Sequence, residues 1–162
     1  MDRNHPKFSF PLGRKARGNT LRDERGTVAV EFALIVPILI LLVLGILEFG
    51  FGYHAWDVTQ NAAREGARTG AVTQVGESEI VARVMGASQL LDQDQVQVTV
   101  TCAPPGGTVF GACGSVDSWL EGKIIRVTVV YTYDYMTPLP GWVAMGDSMV
   151  LRSVAEARFE GL

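Results

Sequence analysis

The sequence predicts an α+β fold: an N-terminal transmembrane helix extending into an extracytoplasmic helix, a second helix, and a three-stranded antiparallel sheet. Three observations predict it. Phe32–Leu47 is a run of sixteen residues without a charge. Ile80, Val81, Val84, Met85 and Leu91 then fall near one helical stripe. Beyond Val96 the apolar residues recur with period two in three separate segments. Helices first and strands afterwards, with short or medium links, argue for segregated layers rather than alternating βα units. The 162 residues make one small domain plus an anchor.

Residues 1–25 hold seven Lys/Arg (Arg3, Lys7, Arg14, Lys15, Arg17, Arg22 and Arg25) against Asp2, Asp23 and Glu24, a net charge of +4. The remainder holds seven Lys/Arg against fourteen acids, a net −7. Basic residues flanking a membrane span stay on the cytoplasmic side, so the N-terminus is expected inside and the rest outside. This leader lacks helical periodicity, carries Pro6, Pro11, Gly13 and Gly18, and is expected to be disordered. The basic cluster is short, unpatterned and placed where topology requires it, so no nucleic-acid partner is expected.

Counted from Thr27 to Leu47, the apolar stretch is about 21 residues, or roughly 31 Å of helix, enough to cross a hydrocarbon core. Glu31 sits about one turn inside it, an acid that costs free energy near lipid and therefore calls for a reason. Pro37 is expected to kink the helix by leaving a carbonyl without its N–H partner. Glu48 closes the span on the outer side. A secretory signal cut near Gly50-Phe51-Gly52 is an alternative, but its apolar region is long for that purpose and leaves Glu31 unexplained. These boundaries give a leader at 1–26, a transmembrane helix at 27–50 and a head at 51–162.

From Tyr53 to Val72 the helix is expected to continue outside the membrane, with Tyr53 and Trp56 as interfacial aromatics. Ala62, Gly66 and Gly70 recur every four residues beside Ala63, Ala67 and Ala71, a stripe that admits close backbone approach. Its partner is either this chain's own sheet or another subunit's helix. Arg64 and Arg68 fall one turn apart beside Glu65, either as a solvated face or as an interaction face. The second helix is expected from about Glu77 to Leu91. Val96, Val98, Val100 and Cys102 then mark a half-buried strand. Ile125, Val127, Val129, Tyr131 and Tyr133 line one face of a strand over about Lys123–Met136, and Pro138-Leu139-Pro140-Gly141 breaks the chain. Leu151, Ala155, Ala157 and Phe159 mark the third strand, over Met149–Glu160.

Cys102 and Cys113 are the two cysteines, and both fall on the outer side of the predicted span. A pair enclosing a Gly/Pro-rich loop in an oxidising compartment reads as a disulfide, with free thiols as the alternative. Two sulfur ligands with no nearby histidine do not make a metal site. Gly146-Asp147-Ser148 resembles the nucleophile block of one hydrolase class, yet the histidines are His5 in the leader and His54 beside the membrane, and neither suits Ser148 as a base. No phosphate-cradling loop or paired His-Glu metal motif is present. No enzymatic activity, cofactor or small-molecule substrate is expected.

Glycine, then glutamate five residues on, then a long apolar helix resembles the processing site of type IV prepilins. The resemblance is closer still to the TadE-like family, pseudopilins of the tight-adherence (Flp pilus) apparatus. It rests on Gly26-Thr27-Val28-Ala29-Val30-Glu31-Phe32-Ala33-Leu34, then Pro37, then Gly45-Ile46-Leu47-Glu48-Phe49-Gly50, then Asn61-Ala62-Ala63-Arg64-Glu65-Gly66-Ala67-Arg68. It covers roughly residues 25–70; the rest of the chain is similar in architecture alone, and the leader is longer than a minimal one. The resemblance implies cleavage between Gly26 and Thr27 by the prepilin peptidase and a bacterial inner-membrane location. It also implies a part in Flp pilus assembly with other pilins, pseudopilins and the inner-membrane assembly platform. Glu31 is then the anion available to the freed Thr27 amine, on its own or a neighbouring subunit. Glu48, Arg64, Glu65, Gly66 and Arg68 lie in the blocks that carry the resemblance, as candidate interaction residues. A generic membrane-anchored extracytoplasmic binding module, uncut and single-pass, is the remaining alternative.

Overall fold

In the computed structural model, residues 20–116, 119–142 and 144–161 are described, with side chains from Gly26 onward. Two compact units divide between Ile40 and Leu41. Helix α1 runs Thr20–Val72 and passes through Pro37. Its residues 20–40 are the described part of the first unit. Their helical start corrects the expectation of a leader irregular throughout: the last glycine before Gly26 is Gly18, and Thr20–Arg25 contains neither Gly nor Pro. A single interior glycine such as Gly26 costs about 1 kcal/mol, which a helix of this length absorbs. Of the large apolar residues in the run, Phe32, Leu34 and Ile38 are well exposed. Helix α1 is long and apolar enough to cross a membrane.

The second unit begins within α1 and continues through α2 (Glu77–Ala87), β1 (Val96–Ala103), β2 (Ile124–Asp134), a one-turn helix α3 (Leu139–Trp142) and β3 (Ser148–Arg158). The sheet order is β1-β2-β3, antiparallel throughout. Val127 at its centre pairs with Val100 on one side and Ala155 on the other. The period-two pattern read from the sequence is the burial pattern observed. Ile125, Val127 and Val129 are fully buried, and Tyr131 and Tyr133 continue the same face. This face joins α1 and α2 in one core that also holds Ala62, Ala63, Ala67, Ile80 and Val84.

The small-residue stripe of α1 packs within the chain. A Cβ at Gly66 would collide with Val84, and one at Gly70 would come within 3.0 Å of Ile80 and 3.1 Å of Ile125. Glycine is thus required there for close approach rather than for an unusual backbone angle. Thr59 Oγ1 and Ser153 Oγ, both buried, meet at 3.0 Å across the helix–sheet contact, each satisfying the other.

Helix α2 stops at Ala87, short of the expected Leu91. Gly86 weakens the last turn, and the buried Ser88 donates its N–H to Val84 and its hydroxyl to Met85 O at 3.2 Å, closing the helix. Leu91 still enters the core, from the turn that follows. Asp92 then accepts from Asp94 N at 3.2 Å and starts a 3-10 turn, Gln93–Gln95, that leads into β1. At Pro138–Gly141 the break from β2 was foreseen but the helical turn α3 was not. Proline fits a first helical turn, where its missing N–H has no partner to lose.

Candidate functional site

The structure builds one site around a single candidate residue, Glu48, where α1 just past its apolar run meets the end of β2. Glu48, one residue past the uncharged run, is buried, whereas a span-closing acid would be expected to face water. Its carboxylate accepts from Tyr133 Oη at 2.8 Å, from Met136 N at 3.1 Å and from Thr137 N at 2.8 Å. Charge-assisted hydrogen bonds of this kind are about twice as strong as neutral ones. They fasten the chain leaving β2 to α1. The partners lie 85 to 89 residues from Glu48, so no local motif announces them. Tyr133 itself was legible only as the last apolar position of a strand.

Burial, then the adjoining Glu48 carboxylate, pushes the Tyr133 hydroxyl well above its ordinary value of 10. Tyr133 therefore stays protonated and donating in neutral solution. Tyr133 and Tyr135 meet edge to face at 5.9 Å between centroids. Around them opens a groove of about 470 Å³ between α1 and the sheet end. One wall is Phe49, Tyr53 and Trp56; the other includes Leu139, Met145 and Met149. Tyr53 packs against Phe49 at 6.3 Å and Trp56 at 5.7 Å, an aromatic ladder along the helix. Glu48 is the one charged residue in the lining, and its oxygens are engaged as described.

The other candidates lie apart from this groove. Gly26, Thr27 and Glu31 sit on the exposed helix of the first unit, with Pro37 helical beyond them. Thr27 and Glu31 are four residues apart and so share a helical face. Arg64 is on the outer face of α1 and donates to Gln60 Oε1 at 2.7 Å. Arg68 pairs with Glu65 at 3.5 Å, while Gly66 faces the core. Such exposed pairs contribute little to stability.

Cys102 and Cys113 are bonded to each other, with Cα atoms 4.8 Å apart. The bridge closes a loop that also pairs Cys102 with Gly111 through two backbone hydrogen bonds of 2.9 Å. Lys123 Nζ donates to Cys113 O at 2.6 Å and lies 5.0 Å from the Trp119 ring centre; burial draws its ammonium below the usual lysine range. Ser148 opens β3 opposite Asp134, and His54 is exposed on α1. His5 and the first nineteen residues lie outside the described part of the chain.

Comparison with protein families places a match to the family described as TadE-like protein over residues 26–68. The matched stretch starts at Gly26 and includes Glu31, Glu48 and the Arg64–Arg68 block. Comparisons with curated proteins and with solved structures return no match. The TadE-like segment supports a role connected with the Tad pilus, and the apolar helix fits a membrane anchor.

Proposed function

We propose that the chain is a minor pilin or pseudopilin of Flp (tight-adherence) pilus assembly, made as a prepilin and cut after Gly26 by the prepilin peptidase. In this reading residues 27–50 hold it in the bacterial inner membrane and residues 51–162 form a head outside. The single observation that carries the reading is the TadE-like match beginning at Gly26, with an acid five residues on at Glu31 and a bare apolar helix behind it. The peptidase supplies the chemistry and this chain is its substrate. Glycine before the scissile bond lets the backbone approach a catalytic site closely.

Cleavage frees a cationic amine on Thr27. Glu31, one helical turn away, supplies the anion, and an unpaired charge beside lipid is costly. On a neighbouring subunit the same pairing would set the register between two apolar helices, which lipid alone does not do. Other pilins and the inner-membrane assembly platform are the partners this implies.

Glu31→Val tests the role of the carboxylate separately from processing. The variant is more apolar, so it should insert as well as the parent, and cleavage should persist because Gly26 is untouched. Pilus production, measured by surface-filament yield at equal expression, should fall, with partial rescue by Glu31→Asp. Parental piliation by the valine variant would show that Glu31 has no part in assembly.

A further inference from the structure

We infer that the head docks onto the outer face of the bilayer through the groove beside Glu48, which takes a phospholipid acyl chain. The inference rests on residues 27–47 spanning the membrane, but not on a role in pili. Glu48 holds the backbone of Met136 and Thr137 at the level of α1 one residue beyond Leu47. The segment leaving β2 is therefore pinned at the height where the helix leaves hydrocarbon. Phe49 to Tyr53 extends about 9 Å past Leu47 at 1.5 Å per residue, through and just beyond a polar zone of about 5–7 Å on one side of a bilayer.

Large apolar side chains on the segment that follows β2 are exposed. Met136 is 67% exposed, Trp142 66% and Met145 65%. Of these, Met145 lines the groove together with the exposed Phe49 of α1. With the Glu48 carboxylate engaged by Tyr133, Met136 and Thr137, the lining offers an apolar chain its walls and offers a headgroup no free charge. Its size is within the range of ligand pockets, about 300–1,000 Å³. The occupant is lipid rather than a second copy's helix because the groove lining reaches Gly45, inside the apolar run whose Leu41, Leu42, Val43, Ile46 and Leu47 are exposed on the same helix. Tryptophan and tyrosine also border it, as they border membrane interfaces generally.

The test uses the full chain in vesicles of phosphatidylethanolamine and phosphatidylglycerol doped with a phosphatidylcholine that carries a photoactivatable diazirine on one acyl chain. After illumination, adducts are mapped by peptide mass spectrometry. Adducts are expected on the span and also on Phe49–Trp56, Leu139 and Met145. Leu139→Asp with Met145→Asp should reduce the head adducts roughly tenfold while sparing the span. Resistance of the head to limited proteolysis reports whether it remains folded in that variant. Adducts confined to the span would overturn the docking inference and leave the span standing. Adducts on neither would overturn both. Photo-methionine at position 145 that joins chain to chain, instead of chain to lipid, would assign the groove to a second copy and overturn the inference.

Discussion

A carboxylate just past an apolar run ordinarily turns to water, and Glu48 instead turns inward to collect three hydrogen-bond donors. Each donor left behind by its removal loses its partner at a partly buried site. Glu48→Ala should therefore destabilise the head by about 1–3 kcal/mol, measured by equilibrium unfolding of the full chain in detergent. Glu48→Gln keeps an acceptor and should cost less. A loss for the alanine variant no larger than that of an exposed control such as Arg64→Ala would show that the carboxylate is not the fastening. Tyr133 adds a pH dependence. Its proton is held more tightly folded than unfolded, so its effect on stability is flat below the ordinary value of 10. Stability then falls as pH rises past that value, because the unfolded chain releases the proton first. The difference between parent and Tyr133→Phe isolates this fall from other groups, including Lys123. Parallel pH profiles of the two would contradict the Glu48–Tyr133 account.

Among the elements, α1 and β2 were the most legible in sequence, for separable reasons. The alternation of Ile125, Val127, Val129, Tyr131 and Tyr133 is long enough to fix both strand and face, and the observed strand is Ile124–Asp134. The Ala/Gly stripe fixed which side of α1 must be approached closely, but it leaves the approaching element open. Only the fold brings Val84 and Val127 to Gly66. Boundaries were less legible where local side-chain hydrogen bonds decide them, as at Ser88, or where proline begins a turn instead of ending one, as at α3. The loop between β1 and β2 is stapled by the cysteine bridge, which the sequence did indicate. With about ten intervening residues the bridge contributes roughly 2–3 kcal/mol in the chain-entropy account. Exported protein should show no alkylatable thiol before reduction, and Cys102→Ser should lower head stability without altering cleavage after Gly26. Two reactive thiols in non-reduced protein would remove this staple.

At the scale of the whole molecule, the proposed function is written more openly in the sequence than in the fold. Gly26, Glu31 and the apolar run lie within one continuous stretch, and the TadE-like match covers that same stretch. On the proposed reading, a cleavage signal recognised by a peptidase along an extended chain must be local, and so it is visible in one dimension. The groove beside Glu48 has the opposite character. It is built from helix, strand and turn residues far apart in sequence, and only Tyr53, Trp56 and the lone acid hinted at a boundary there. The central claim is that the chain matures as a prepilin, and the most direct measurement is the intact mass and N-terminal residue of the mature protein purified from membranes. The account predicts a chain that starts at Thr27 and retains its apolar helix, with Gly26→Ile accumulating the uncut form. A mature chain beginning near Gly52, or one still carrying the leader in otherwise competent cells, would contradict it.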